Sequence, residues 1–382
     1  MSASQHTHQF EILGLPAGQF SDESGQFSGT RDFTPVVFIG GLLLSWLACL
    51  AGLLFIDQTA VRISAALSDF SNMLPAGLEF HAPATSELVV KITHKLLSIT
   101  TGAVPVMLLE AYVVGFAKSS LGRLTLNRSV SSTTDFGIFM ISALGLVQVW
   151  KAVGTLGVAY LLGLGGNELI STLTGHQLQV DTGFAALNFV IYLMAFTFFD
   201  YWCHRFFHTD PFWCLHRMHH AGTEMTTVSA VRDHPGTSLF EPIFKLWPVA
   251  FFAAPPAYIL VFAYALMFYE FLIHSNVPWT WGWFGRWILV PPAGHRLHHS
   301  IDSKNSGKLL AILPVWDRMF GTWCPITPAD INAPVGVSEG HYNSGNVFRE
   351  LGHDFAEFAQ RTATIVGLRI STRPGTVEPS VD

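Results

Sequence analysis

Apolar residues occur along the chain in long uninterrupted blocks rather than in the two-residue alternation of half-buried strands. A helix of about 20 apolar residues crosses a bilayer. The blocks cover residues 36–56, 96–117, 136–165, 184–199 and 240–274. The pattern predicts an all-α integral membrane protein built on a bundle of transmembrane helices.

The last block is longer than one crossing requires, and prolines interrupt it. Pro248 lies near its start, and Pro255 and Pro256 lie near its middle. A proline inside a helix removes a backbone donor and clashes with the preceding turn. We therefore expect a Pro-broken helical hairpin over 240–274 that enters and leaves the membrane on the same side.

Composition supports the membrane setting. Hydrophobic residues make up 50% of the 382 residues and charged residues only 13%, against about 25% charged in soluble domains. The net charge of -6 gives no basic footprint for nucleic acid. The four cysteines form no CxxC pair, so neither a disulfide framework nor an iron–sulfur site is predicted.

Loop charges predict the topology. Basic residues concentrate in 118–134, 204–239 and 275–382, whereas 166–183 contains no lysine or arginine. Because cytoplasmic loops carry the excess of positive charge, these three basic segments are assigned to the cytoplasmic side. Around them we distinguish a polar N-terminal tail (1–34), N-terminal transmembrane helices (35–183), a histidine-rich domain (184–324) and a polar C-terminal tail (325–382).

Eight of the 17 histidines fall into three clusters with spacings of three or four residues. The clusters are His204 and His208, then His216, His219 and His220, then His295, His298 and His299. Such spacings place imidazoles on one face of a helix. Eight imidazoles exceed the four ligands of a zinc ion, so the clusters predict a cage for two metal ions at the cytoplasmic end of the bundle.

Further residues near the clusters are candidates for the same site. His274 follows the hairpin and is predicted to be a ninth ligand. Asp200 and Glu270 each precede a candidate histidine by four residues. A carboxylate at this spacing can accept a hydrogen bond from the imidazole and so orient the ring toward a metal. Arg232 and His234, in an Arg-Asp-His-Pro sequence, are predicted to support the ligands rather than bind metal.

These motifs resemble the fatty acid hydroxylase superfamily in its sterol desaturase-like branch. The resemblance covers about 199–323 and rests on the three histidine clusters, on Arg-Asp-His-Pro at 232–235, on His274-Ser-Asn and on Trp-Asp-Arg-Met-Phe-Gly-Thr at 316–322. It implies membrane helices capped by a cytosolic histidine-bound centre of two iron ions, which zinc can replace in purified protein.

The resemblance also implies an O2-dependent oxidoreductase, either a hydroxylase or a desaturase. Its substrate would be a lipid such as a sterol, fatty acyl chain, ether lipid or carotenoid. The chain contains no dinucleotide fingerprint and no haem-binding domain, so the electrons are expected from a separate reductase, ferredoxin or cytochrome.

A dizinc membrane hydrolase or a metal-binding transporter is the alternative interpretation. A transporter places ionisable ligands near mid-membrane, whereas these histidines lie at predicted helix ends. A hydrolase site would need carboxylate ligands and a general base, for which Asp200 and Glu270 are the candidates.

Overall fold

The computed structural model describes residues 99–143, 160–245, 247–301 and 307–367, with isolated positions between 47 and 69. The N-terminal tail, nearly all of the first apolar block, the middle of the third block and the end of the C-terminal tail lie outside these residues. The helices of the first half are α1 (Ile99–Val114), α2 (Ser120–Thr125), α3 (Val130–Ala143), α4 (Tyr160–Thr174), α5 (Ala185–Phe207) and α6 (Trp213–His220). Those of the second half are α7 (Thr237–Lys245), α8 (Trp247–Phe251), α9 (Pro256–Ile273), α10 (Gly282–Trp287), α11 (Pro292–His298), α12 (Pro314–Phe320) and α13 (Val347–Ile365).

The described residues are helical, as predicted, and contain short 3-10 segments and one isolated β-bridge between Ser300 and Val335. Within these residues, α5 is the one helix long and apolar enough to cross a membrane, and α1 is a shorter apolar helix. The predicted bundle of transmembrane helices therefore remains a prediction.

The predicted break in the fifth block is confirmed. Helix α8 ends at Phe251, and α9 begins at Pro256 with Pro255 as its N-cap residue. Proline suits the first helical position because its missing N–H would have no partner there. The carbonyls of Phe251 and Phe252 at the break accept hydrogen bonds from the Asn167 amide (2.6 Å) and the Tyr192 hydroxyl (2.7 Å).

Helix α1 packs against α9, and together they form the largest core cluster. Ile99, Val106 and Val113 lie in this core with Phe271 and Leu272 of α9. Gly102 permits the close approach, since a Cβ atom at this position would lie 2.9 Å from the Met267 side chain. The packing fixes the end of α9, where His274 follows.

Helix α13 lies within the segment predicted as a polar tail, and it packs on α6. Arg217 of α6 donates to Asp354 (2.9 Å) and Glu357 (2.6 Å) of α13 and to the Tyr342 hydroxyl (2.7 Å). Asp354 is fully buried, and Arg217 neutralises it. This ion-pair network holds α6, which carries three histidines, in place.

Candidate metal centre

The histidines of the three clusters lie in the middle or the C-terminal part of helices, or at their C-caps. His204 lies in the last turn of α5 and His208 is its C-cap. His216, His219 and His220 end α6, while His295 and His298 end α11 with His299 as C-cap. His274 is the C-cap of α9.

The structure brings all nine histidines together in two groups. Within each group the candidate ligand nitrogens all lie within 4.8 Å of one another. The five-histidine group is His204, His208, His216, His220 and His298. The four-histidine group is His219, His274, His295 and His299. Helices α6 and α11 contribute to both groups, so the two sites share their walls.

Distances between nitrogens fit ligands of common ions. Neighbouring Nε2 atoms are separated by 3.2 Å for His204 and His208, and by 2.9 Å for His274 and His295. His295 and His299 are 3.0 Å apart. Two nitrogens about 2.1 Å from one ion stand roughly 3.0 Å apart at a right angle and roughly 3.4 Å apart at a tetrahedral angle.

Hydrogen bonds fix two imidazoles in the tautomer that a metal requires. The Nδ1 atom of His274 lies 2.7 Å from the Glu270 carbonyl oxygen, and Nδ1 of His298 lies 2.9 Å from the Lys308 carbonyl oxygen. A carbonyl only accepts, so each Nδ1 carries the proton and each Nε2 presents a lone pair. Nε2 of His298 is buried without a hydrogen-bond partner among the described residues.

Burial keeps the cage neutral. Desolvation lowers the pKa of His216, His219 and His295 well below 6.5, and the neighbouring histidines lower it further. Desolvation lowers the pKa of His298 to about 4. Uncharged imidazoles are the form that binds metal, so the ligands are ready at neutral pH.

Four helix C-termini converge on the cage, at the ends of α5, α6, α9 and α11. The C-terminal end of a helix carries a partial negative charge. This arrangement favours cations at the site without placing a carboxylate among the nine nitrogens.

The supporting residues named from the sequence take different positions. Arg232 is fully buried and its Nε donates to the Met218 carbonyl (3.0 Å) between two ligand histidines. His234 accepts from the Gly236 N–H (2.9 Å) through Nδ1 and donates from Nε2 to the Leu351 carbonyl (2.9 Å). Both nitrogens of His234 are therefore used away from the cage.

The two predicted carboxylates also differ. One Glu270 oxygen lies 3.8 Å from Nδ1 of His274, although the nearer partner of that nitrogen is the backbone. Asp200 pairs with Lys245 at 2.7 Å. Asp233 was missed by the sequence analysis, and its carboxylate lies 3.5 Å from Nδ1 of His219. The position of Asp233 between two candidate supporting residues, Arg232 and His234, was the sequence signal that could have identified it.

A cavity of about 190 Å³ opens beside the cage. Four of the nine histidines line it, from both groups. Its apolar wall includes Phe207, Ile273 and Ala311, and its polar wall includes Asp200, Glu241 and Lys245. Lys245 bridges the two carboxylates at 2.7 Å and 3.1 Å. The cavity thus has both an apolar and a polar surface next to the candidate metal ligands.

Residues 189–322 match the family model described as fatty acid hydroxylase, and this segment contains all nine histidines. Over this segment, about a third of its length, the chain is similar to the fatty acid hydroxylase family. Its curated relatives include alkylglycerol monooxygenases from Xenopus tropicalis (35% identical, 33% of this chain), Danio rerio (33% identical, 36%) and Caenorhabditis elegans (30% identical, 35%).

These three alignments cover 28%, 32% and 26% of the relatives' own lengths, respectively. The chain therefore spans about a third or less of each relative. No solved structure matches it. The segment that matches the fatty acid hydroxylase model is the one that carries the histidine cage.

Proposed function

We propose that this protein is a membrane-bound monooxygenase that holds two iron ions and oxidises a C–H bond of an amphiphilic lipid with O2. The carrying observation is the division of nine buried histidines into two groups with ligand-like nitrogen separations. The superfamily relationship and the relatives' monooxygenase activity, as their name states it, support the same chemistry.

The five-histidine group would hold one ion and the four-histidine group the other. When bound, the iron pair would supply the activation of O2 and the removal of hydrogen from an unactivated carbon, chemistry that side chains alone do not provide. One oxygen atom would enter the lipid and the second would leave as water, with two electrons and two protons supplied from outside.

The chain's own residues would position the ligands and the substrate. Carbonyls of Glu270 and Lys308 hold the His274 and His298 rings with Nε2 facing inward. The apolar wall of the cavity, at Phe207, Ile273 and Ala311, would bind the alkyl chain and exclude water from it.

The relatives' name points to an alkylglycerol, and the cavity suits that class. Asp200 and Glu241 are hydrogen-bond acceptors and Lys245 is a donor, a combination that can bind the hydroxyls of a glycerol head group. We therefore infer that the substrate is an alkyl-chain lipid with a hydroxylated head group.

The sequence contains neither a dinucleotide fingerprint nor a haem-binding domain. We therefore propose that a separate protein supplies the electrons. The multi-pass topology, with the cage on the cytoplasmic side, belongs to the same proposal. It would place the cage within reach of both membrane lipid and a soluble reductase.

The test is isotopic. Membranes containing the full-length protein would be supplied with a reductant and 18O2, together with an alkylglycerol, a fatty acid or a sterol. Incorporation of one 18O atom into the alkylglycerol product is expected. Turnover without oxygen, or a hydrolysis product that carries no 18O, would contradict the proposal and favour a dizinc hydrolase.

A matched pair of variants makes the result specific. His299→Ala removes a ring of the four-histidine group and is expected to abolish 18O incorporation. His176→Ala changes an exposed histidine outside the cage and is expected to retain it.

A further inference from the structure

Two fully buried carboxylates lie on helices that precede the family segment, and they bind residues next to the cage. Glu110 lies on α1 and Asp135 on α3, and both side chains are inaccessible to solvent. A buried charge is costly unless it is paired and hydrogen-bonded. Each of these carboxylates has several hydrogen-bond partners, and some of those partners bind the segments that carry the histidines.

Glu110 binds the loop that follows His274. Its Oε1 accepts the backbone N–H of Asn276 at 2.7 Å, and its Oε2 accepts the N–H of Ser120 at 2.9 Å. The Asn276 side chain in turn accepts a hydrogen bond from Arg296. Arg296 directly follows His295, so Glu110 ties together the ends of two segments that carry ligands.

The two histidines held in this way belong to the same group. Nε2 of His274 and Nε2 of His295 lie 2.9 Å apart in the four-histidine group. Their separation depends on how the end of α9 meets α11. The Glu110–Asn276–Arg296 chain of hydrogen bonds joins those two elements.

Asp135 acts on α6 through an arginine. Its Oδ1 accepts from Arg232 at 2.6 Å, and its Oδ2 accepts from the hydroxyls of Thr226 (2.9 Å) and Ser229 (2.6 Å). Arg232 donates from Nε to the Met218 carbonyl of α6. That carbonyl lies between His216 and His219, which belong to different groups.

We propose that Glu110 and Asp135 are positioning residues of the metal centre, supplied by the helices ahead of the family segment. Glu110 sets the four-histidine group, and Asp135 sets α6, which serves both groups. The inference rests on the proposed metal-binding role of the nine histidines. It gives α1 and α3 a function that the family segment, residues 189–322, does not contain.

The experiment is a cobalt(II) titration of full-length protein in detergent, comparing wild type with Glu110→Gln and Asp135→Asn. The amide keeps the side chain's size but replaces one acceptor with a donor facing an N–H or O–H group. Cobalt absorption reports both stoichiometry and ligand geometry, and circular dichroism reports helix content. Residues that hydrogen-bond to metal ligands typically contribute about 10- to 100-fold to the affinity for the metal.

Glu110→Gln is expected to weaken the binding of one of the two cobalt ions by about 10- to 100-fold. It is also expected to change the visible spectrum of that ion, with helix content retained. Asp135→Asn is expected to weaken the binding of both cobalt ions and to change both visible spectra. The matched control is Glu350→Gln on α13, a buried carboxylate that accepts hydrogen bonds from Ser344. It is expected to lose thermal stability but to keep both cobalt signals.

Two milder variants serve if the amides prevent folding. Thr227→Val removes one hydrogen bond to Glu110 (3.3 Å), and Ser229→Ala removes one to Asp135. The same spectral pattern is expected at smaller size. Wild-type affinity and spectrum in every folded variant would overturn the inference, whereas failure of wild type to bind two ions would instead refute the proposed metal centre.

Discussion

Acidification should destabilise the metal-free protein. The pKa of His298 allows the loss in the free energy of unfolding to be worked out. Burial lowers the pKa of His298 to about 4 in the folded chain, against about 6.5 when unfolded. Below pH 6.5 the unfolded chain therefore binds a proton that the folded chain does not, so stability falls as pH falls. The contribution of His298 is lost progressively between about pH 6.5 and pH 4.

The size of the effect follows from the two values. At pH 7.5 the ring is neutral in both states, and at pH 5.5 it is protonated only in the unfolded chain. Linkage then gives a loss of about 1.4 kcal/mol from His298 alone over these two pH units. Each further cage histidine that stays neutral adds a similar amount in the same direction.

The assay is chemical unfolding of metal-stripped protein in detergent at pH 7.5 and pH 5.5. His298→Asn removes the titrating ring, and its free energy of unfolding should change by about 1.4 kcal/mol less than that of wild type. His176→Asn, at an exposed position, should keep the wild-type change. A pH dependence in His298→Asn equal to that of wild type would refute the reasoning.

Three further changes have defined outcomes. Arg217→Met should destabilise the fold by about 3–5 kcal/mol because it leaves Asp354 buried without its cation, and chemical unfolding measures this; adding Asp354→Asn should recover part of the loss, and no recovery would argue against the pairing. Ala311→Phe should obstruct the cavity and lower turnover of an alkylglycerol, with bound metal unchanged; equal turnover would place the substrate elsewhere. His220→Ala and His299→Ala lie in different groups, and each should lower bound metal by about one ion per chain in elemental analysis, unless the nine histidines act as a single site.

The histidine cage could be predicted because its signal is local. Rings at three- and four-residue spacings in an apolar chain indicate helix faces, and the structure places them on α5, α6 and α11. The break before α9 was also predictable, because Pro255 and Pro256 act on the backbone next to them.

The support of the cage could not be predicted in the same way, because its partners are distant along the chain. Glu110 binds Asn276 across 166 residues, and Asp135 binds Arg232 across 97. No local pattern specifies such pairs. An acidic residue within an apolar helix was a usable signal for Glu110, since a charge in such a helix marks a specific role.

The C-terminal segment differs from the sequence interpretation, because the predicted polar tail contains the packed helix α13. Helix α13 carries apolar residues at 347, 351, 355 and 358, a helical spacing that its charged residues obscured.

Metal content tests the central claim most directly. Full-length protein purified in detergent, with His298→Ala and His176→Ala prepared alongside, would be analysed for iron and zinc. The account predicts about two irons per chain in wild type and in His176→Ala, and fewer in His298→Ala. Zinc in an active protein, or equal iron in all three preparations, would contradict it.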